Sequence, residues 1–238
     1  MIYMGSKARF AKEILQIILK DRKPDQIYIE PFAGGMNTIC EVDGIRIAND
    51  LNHYLIQMWC ELMNGWKPNK ITIEEYNKIK NNKDHYPPHI VGWAGFVCSF
   101  RGKWFGSFAK EVTNRVGINR DYQSEAIRNI YKQVNKMKGV IFQNLSFTEL
   151  EIPPNSIVYC DPPYYNTTEY CNTINHTIFF NWVRNIVNQG NTVYVSEYSA
   201  PDDFECVWEK QTISSLSANG KKGGSKSSVE KLFMLRKE

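Results

Sequence analysis

Ser156-Ile157-Val158-Tyr159-Cys160-Asp161-Pro162-Pro163-Tyr164 is the stretch on which the reading of this chain turns. Its first five residues are mostly apolar and β-branched or aromatic, the composition of a short buried strand. Asp161 follows the strand directly. Two prolines in succession hold a stiff backbone with no N–H to donate. The residue before a proline is held extended, so Asp161 and Pro162 continue outward from the strand. The segment therefore presents a carboxylate, free carbonyls and the flat, hydrogen-bonding ring of Tyr164 to whatever lies beyond. A proline-rich turn that merely closes a strand is the plainer account of the same residues.

Working outward, Ile27–Ile29, Ile45–Ala48, Val140–Phe142 and Thr192–Ser196 also read as short strands, and Leu232–Leu235 as an edge or hairpin strand. Residues 8–20, 51–63 and 179–187 carry apolar side chains at helical spacing. Gly34 and Gly35 follow the strand at Ile27–Ile29, with a helix expected after them. Between 65 and 135 strand-like runs are rare. Segments 73–82, 106–112 and 121–138 read as polar helices there, around an aromatic and glycine-rich run from Gly92 to Gly106. Short strands alternating with helices imply an open, mostly parallel α/β sheet, which binds ligands at the carboxyl ends of its strands. The expected organisation is one α/β domain formed by residues 1–64 and 136–238, with a mostly helical subdomain, 65–135, inserted into it.

The chain has 238 residues, 42% hydrophobic and 23% charged, which is globular composition with room for one sizeable core. Net charge is +4, from 29 Lys and Arg against 25 Asp and Glu. That suits a polyanionic partner without requiring one. No apolar run approaches the roughly 18 residues of a membrane span, and no leader pattern opens the chain, so no membrane and a cytoplasmic location are expected. The six cysteines form no C-x-x-C pair and the four histidines no H-x-x-x-H pattern, so no metal site is expected.

Two further features stand at strand ends. Glu30-Pro31-Phe32-Ala33-Gly34-Gly35 is neither the G-x-G-x-x-G fingerprint nor a P-loop. Asp50 lies about 20 residues beyond the first strand, where nucleoside-binding sheets carry an acid for the ribose hydroxyls; a solvated turn aspartate is the bland alternative. With Asp161 these should converge on one crevice. An exocyclic amine on a purine is a weak nucleophile because its lone pair is delocalised. The Asp161 carboxylate and the Pro162 carbonyl are the acceptors that would favour charge development on it, and Tyr164, with Tyr165 as a wall, is the surface on which an extruded base would stack.

In the order and spacing of these segments the chain resembles the Dam-type, or D12, adenine-N6-specific DNA methyltransferases. Tyr3-Met4-Gly5-Ser6-Lys7 resembles the family's aromatic-x-Gly-x-Lys segment, Glu30–Gly35 its cofactor turn and Asp50 its ribose-holding acid. Asp161-Pro162-Pro163-Tyr164 resembles its catalytic motif in full. Val195–Tyr198 and Glu230–Phe233 resemble its later segments. The resemblance implies a Rossmann-like S-adenosylmethionine-dependent methyltransferase sheet with a helical DNA-recognition insertion. The implied cofactor is S-adenosylmethionine, leaving as S-adenosylhomocysteine, without a metal. Asp161, Pro162, Pro163 and Tyr164 are the implied catalytic residues. Tyr3, Lys7, Glu30, Pro31, Phe32, Gly34, Asp50, Ser146 and Asp161 are the implied cofactor residues.

The chain departs from the pattern at Ser146, which stands where the family carries an acid near the cofactor adenine, with Asn144 as an alternative. The run Phe100–Gly106 also differs from the family's Arg-x-Asn element, which leaves the target sequence open. Candidate DNA contacts are Arg101, Lys103, Arg115, Arg120 and Arg128, with Lys221, Lys222 and Lys226 in a glycine-rich stretch. The partner implied is double-stranded DNA, approached by a monomer, with room for a cognate restriction endonuclease acting as a separate protein. Methylation of cytosine N4 or of RNA adenine by the same fold, or a catalytically weak DNA-binding homologue, are the competing accounts.

Overall fold

Seven strands form one sheet in the computed structural model, which describes residues 1–113, 117, 119–164, 174–214 and 226–236. In chain order the strands are β1 (Tyr28–Glu30), β2 (Arg46–Asn49), β3 (Val112–Thr113), β4 (Asn119–Arg120), β5 (Val140–Gln143), β6 (Ile157–Cys160), β7 (Thr192–Glu197), β8 (Phe204–Ser214) and β9 (Lys226–Leu235). The main sheet has the order β5-β2-β1-β6-β7-β9-β8, and β3 and β4 pair separately. β1, β2, β5, β6 and β7 are parallel, while β9 runs antiparallel to both β7 and β8. This is the open, mostly parallel α/β sheet expected above, with a helical segment inserted between β2 and β5.

Alternate residues of each strand point to opposite faces, and each face has its own core. Tyr28, Ala48, Ile157 and Tyr159 pack with Ile14 and Ile18 of α1 (Ala11–Ile18) and with Leu55 and Trp59 of α2 (His53–Met63). Ile29, Ile47, Val158 and Cys160 pack on the other side with Phe179, Val183 and Ile186 of α6, which spans His176–Asn188. Each fully buried aliphatic or aromatic side chain contributes roughly 1.5–3 kcal/mol relative to exposure. Asparagines start the two helices that flank the site: Asn52 accepts from the Leu55 N–H at 3.0 Å, and Asn175 from the Ile178 N–H at 3.1 Å. No helix among the described residues is long and apolar enough to cross a membrane.

In the inserted segment, α3 (Ile73–Asn81) opens with a reciprocal capping box between Thr72 and Glu75. α4 (Pro88–Gly92) then runs into one π-helical turn, Trp93–Val97. The aromatic run joins the core of α1 and α2: Trp93, Phe96 and Phe105 are buried, and Trp104 stacks on Tyr54 with centroids 5.5 Å apart. Trp93 and Trp104 are thus packing residues. The segment ends in α5 (Tyr122–Lys136), capped by Asp121.

The structure corrects three expectations. The turn after β1 leads into a single 3-10 turn at Ile39–Glu41, without an α-helix. Gly34 and Met36 both adopt positive φ there, and the Gln133 amide of α5 donates to the Gly35 and Met36 carbonyls at 2.8 and 2.7 Å, taking up acceptors a helix would use. Residues 106–112 are not helical, because they fold back on 98–100: Phe100 N–H donates to the Ser107 carbonyl at 2.7 Å and Ala109 N–H to Cys98 at 2.8 Å. Finally, of the two readings of Leu232–Leu235 the hairpin strand holds and the edge does not: β9 pairs antiparallel with β8 and lies inside the sheet, and the edge on that side is β8, whose pattern is broken by a bulge between Cys206 and Trp208 and by exposed Glu205, Glu209 and Lys210.

Gly92 lets α4 approach α2 closely: a Cβ there would stand 2.2 Å from the Tyr54 carbonyl oxygen. Gly92→Ala is expected to destabilise the fold by about 1–3 kcal/mol through overpacking, read as a lower urea midpoint at unchanged slope. An unchanged midpoint would contradict the close approach.

Candidate active site

β2, β1 and β6 are neighbours, and the chain leaves β1 and β6 toward opposite sides of the sheet. Such a switch point opens a crevice beyond the carboxyl ends. Glu30 closes β1 ahead of Gly34 and Gly35, Asp50 follows β2 and Asp161 follows β6, so the glycine turn and the two acids expected to converge stand on three adjacent strand ends.

On the β2 side, the Asp50 carboxylate accepts from the Gly34 N–H and from the Asn52 N–H, each at 2.9 Å. Burial raises its pKa, and these two bonds pull it back. Asn49 is fully buried. Its amide donates to the Pro31 and Leu145 carbonyls at 3.0 Å, and its oxygen accepts from Leu145 N–H at 2.9 Å. Asn49 thus ties the turn after β1 to the turn after β5. Nothing in the local sequence marked it as a site residue.

Tyr3 lies across the glycine turn, where a Cβ on Gly34 would meet its ring at 2.9 Å. Phe32 packs against Phe147 and Phe179, with centroids 5.4 and 5.7 Å away. The Glu30 carboxylate is buried and accepts from Tyr28 Oη at 2.9 Å; burial, with the nearby Asp161, holds its pKa well above the usual carboxylate range. Ser146 is half-buried, its Oγ 2.8 Å from Thr148 Oγ1. The Asn144 amide donates to the Asp50 carbonyl at 2.7 Å.

On the β6 side, Lys7 comes from the segment before α1. Its side chain is only 7% exposed, and its Nζ stands 3.1 Å from Asp161 Oδ1 and 3.5 Å from Glu230 Oε2. The same ammonium lies 4.3 Å from the centroid of the Tyr164 ring. Tyr164 Oη donates to Glu230 Oε2 at 3.0 Å, and Tyr198 packs edge-on against the Tyr164 ring at 4.6 Å. Pro162 is buried and Pro163 half-buried beside them. Burial pushes the Asp161 carboxyl up, Lys7 pulls it down, and Glu230 adds to the rise. Burial, with the charges of Asp161 and Glu230, also holds the Tyr164 phenol well above its ordinary value. Lys7 thus meets the acid of the Asp-Pro-Pro-Tyr tetrad. Glu230 and Tyr198 were not singled out as site residues: Glu230 lies 66 positions from Tyr164 and reaches it only through the pairing of β9 with β7.

The basic candidates stand elsewhere. Arg101 and Lys103 are exposed on the loop after the π-turn, Arg101 at φ 59° with its guanidinium 5.4 Å from the Phe100 ring centroid. Arg120 is exposed but paired with Glu125 through two bonds of 2.9 and 2.8 Å. Arg128 is exposed on α5. A cavity of about 250 Å³ between Ile2, Phe100, Arg101, Arg120 and Tyr122 is lined by none of the crevice residues. Arg115, Tyr165, Lys221 and Lys222 lie outside the described residues, as does the side chain of Lys226.

Residues 3–89 match the family model of the D12 class N6 adenine-specific DNA methyltransferases. The chain is 26% identical over 212 residues to the type II methyltransferase M.FokI of Planomicrobium okeanokoites, covering 76% of this chain and 31% of that protein. It is also 26% identical over 191 residues to the modification methylase StsI of Streptococcus sanguinis, covering 70% of this chain and 28% of that one. The chain thus spans about a third of the length of these curated relatives. Among solved structures, the putative methyltransferase yhhF of Escherichia coli is similar at 12% identity, with a TM-score of 0.37 over 94% of this chain and 83% of that one.

Asp50→Ala strips the Gly34 and Asn52 N–H groups of their acceptor. The expected loss of stability is about 1–3 kcal/mol for each group left buried without a partner, measured by urea unfolding. Asp50→Asn, which keeps one acceptor oxygen, should lose less; equal losses would contradict the arrangement.

Proposed function

We propose that this chain, whose residues 3–89 match the family model of the D12 class N6 adenine-specific DNA methyltransferases, methylates N6 of an adenine flipped out of double-stranded DNA. The observation that carries the reading is the gathering of the Asp161 carboxylate and the Tyr164 ring around the Lys7 ammonium just beyond β6, on a strand end two places from the one that Asp50 follows.

The residues on the β2 side fit a nucleoside cofactor. Each Asp50 oxygen accepts one backbone N–H, which leaves further lone pairs for ribose hydroxyls. Gly34 lets the backbone pass close by, and Phe32, Pro31 and Tyr3 wall the turn. Ser146 takes the place of an acid as a neutral hydrogen-bonding group. S-adenosylmethionine, when bound there, supplies a methyl group already activated by the positive sulfur, which keeps the electron pair of the broken carbon–sulfur bond.

The chain's own residues act on the nucleophile. Asp161 and the Pro162 carbonyl accept the hydrogens of the amino group, so positive charge building on N6 meets acceptors already in place. The proton released from nitrogen passes to water. Tyr164 stacks on the purine, with Tyr198 against its edge, and holds the amine in line. Arg101, Lys103, Arg128 and, once released from Glu125, Arg120 are the described groups suited to phosphates. Residues 65–135 would read the flanking sequence.

Transfer of labelled methyl groups to DNA, RNA and free nucleosides tests the reading. Label is expected as N6-methyladenine in DNA, and Asp161→Ala should lower kcat by about 10²–10³-fold, the usual cost of removing one preorganised stabilising group. Label on cytosine, or transfer retained by Asp161→Ala, would sink it. The pH profile gives a second check. The carboxylate is the active form, so the rate falls as pH drops through the Asp161 pKa, which burial places above the ordinary carboxylate value. Lys7→Met removes the charge that pulls this pKa down, so the acid limb should move to higher pH; a limb that stays or moves lower would contradict the geometry.

A further inference from the structure

The Lys7 ammonium lies between two carboxylates and over the face of an aromatic ring: 3.1 Å from Asp161, 3.5 Å from Glu230 and 4.3 Å from the Tyr164 centroid. On the reading above, on which this inference rests, Asp161 and that ring are also what the target amine requires. An amino group bound to Asp161 and stacked on Tyr164 competes with the ammonium for both. Lys7 is nearly inaccessible to water, and a buried cation that loses its counter-charge carries a large desolvation cost. A second carboxylate that keeps the ammonium lets Asp161 turn to the amine at lower cost.

Glu230 is that carboxylate. It reaches the site on β9, in the hairpin that pairs with β7. The same oxygen that faces Lys7 accepts the Tyr164 hydroxyl at 3.0 Å, so one group anchors both the cation and the stacking ring. We propose that Glu230 is a positioning residue for the transfer: it holds the Lys7 ammonium while Asp161 is engaged by the target amine, and keeps Tyr164 set for the base. Without its charge, Lys7 stays on Asp161 and blocks the acceptor.

The test is a kinetic double-mutant cycle on the full chain with S-adenosylmethionine and adenine-containing duplex DNA. Glu230→Gln keeps the size and an acceptor for the Tyr164 hydroxyl but removes the charge. It is expected to lower kcat about tenfold, in the range of couplings between contacting groups, with KM for DNA and calorimetric affinity for S-adenosylmethionine within about threefold. In a Lys7→Met background, where no ammonium needs holding, Glu230→Gln should cost less than about twofold. A merely structural role would cost the same in both backgrounds. Glu230→Asp, which keeps the charge, should retain more of the rate than Glu230→Gln. Full kcat in Glu230→Gln, equal losses in both backgrounds, or Glu230→Asp no better than Glu230→Gln would overturn the role while wild-type transfer stands. Absence of transfer by the wild-type chain would instead overturn the methyl-transfer reading.

Discussion

β1 and β6 lie side by side, hydrogen-bonded from Tyr28 opposite Ile157, and the chain departs from them in opposite directions. The crevice beyond their ends stays open because the connections leave on either side of it. Its floor is made of strand termini held by the sheet, so Glu30, Asp50 and Asp161 inherit the rigidity of parallel strands rather than the mobility of loops. Segments far apart in sequence then close over that floor. Lys7 comes from ahead of the first helix, and Glu230 comes from the last strand, which reaches the tetrad because β9 is set between β7 and β8.

The chemistry of the crevice follows from how its charges are kept out of water. Asp161 and Glu230 gather around one ammonium, Glu30 lies within reach of the Asp161 charge, and burial raises the pKa of both Glu30 and Asp161. Such a cluster is costly to desolvate unless each group has a partner. Tyr28 serves Glu30, while Lys7 and Tyr164 connect Asp161 and Glu230. On the other side, among the described residues, Asp50 is held by two backbone N–H groups. The crevice therefore has one half in which a carboxylate is met by neutral backbone donors and another in which carboxylates are met by a cation.

Much of this is legible in the amino-acid sequence alone. Strands such as Ile157–Cys160 announce themselves because apolar side chains fill both faces, and Asp161 because two prolines follow it. Asp50 could be placed because its distance from the first strand is set by one strand-to-strand crossover. What could not be read depends on long-range pairing. The eleven residues of β8 carry exposed charges and a bulge, so their alternation is lost in one dimension. Whether β9 is an edge or a hairpin strand stays open in the sequence because its partner β8 is not legible there. The turn after β1 was given a helix because nothing near it in sequence reveals that Gln133 claims its carbonyls. Asn49 and Glu230 belong with these: each acts through neighbours that only the folded sheet supplies.

The position of β9 also gives the chain an order of assembly. A chain emerging from the ribosome can form β1, β2, β5, β6 and β7 as soon as residue 197 is free, yet β7 then has an unpaired edge and the crevice has no Glu230. A truncated or stalled product of that kind carries Asp161 and Lys7 without their third partner, and an open strand edge prone to pairing with other chains. Completion of the sheet and completion of the charged cluster are thus one event in biosynthesis, brought about by the arrival of residues 226–235.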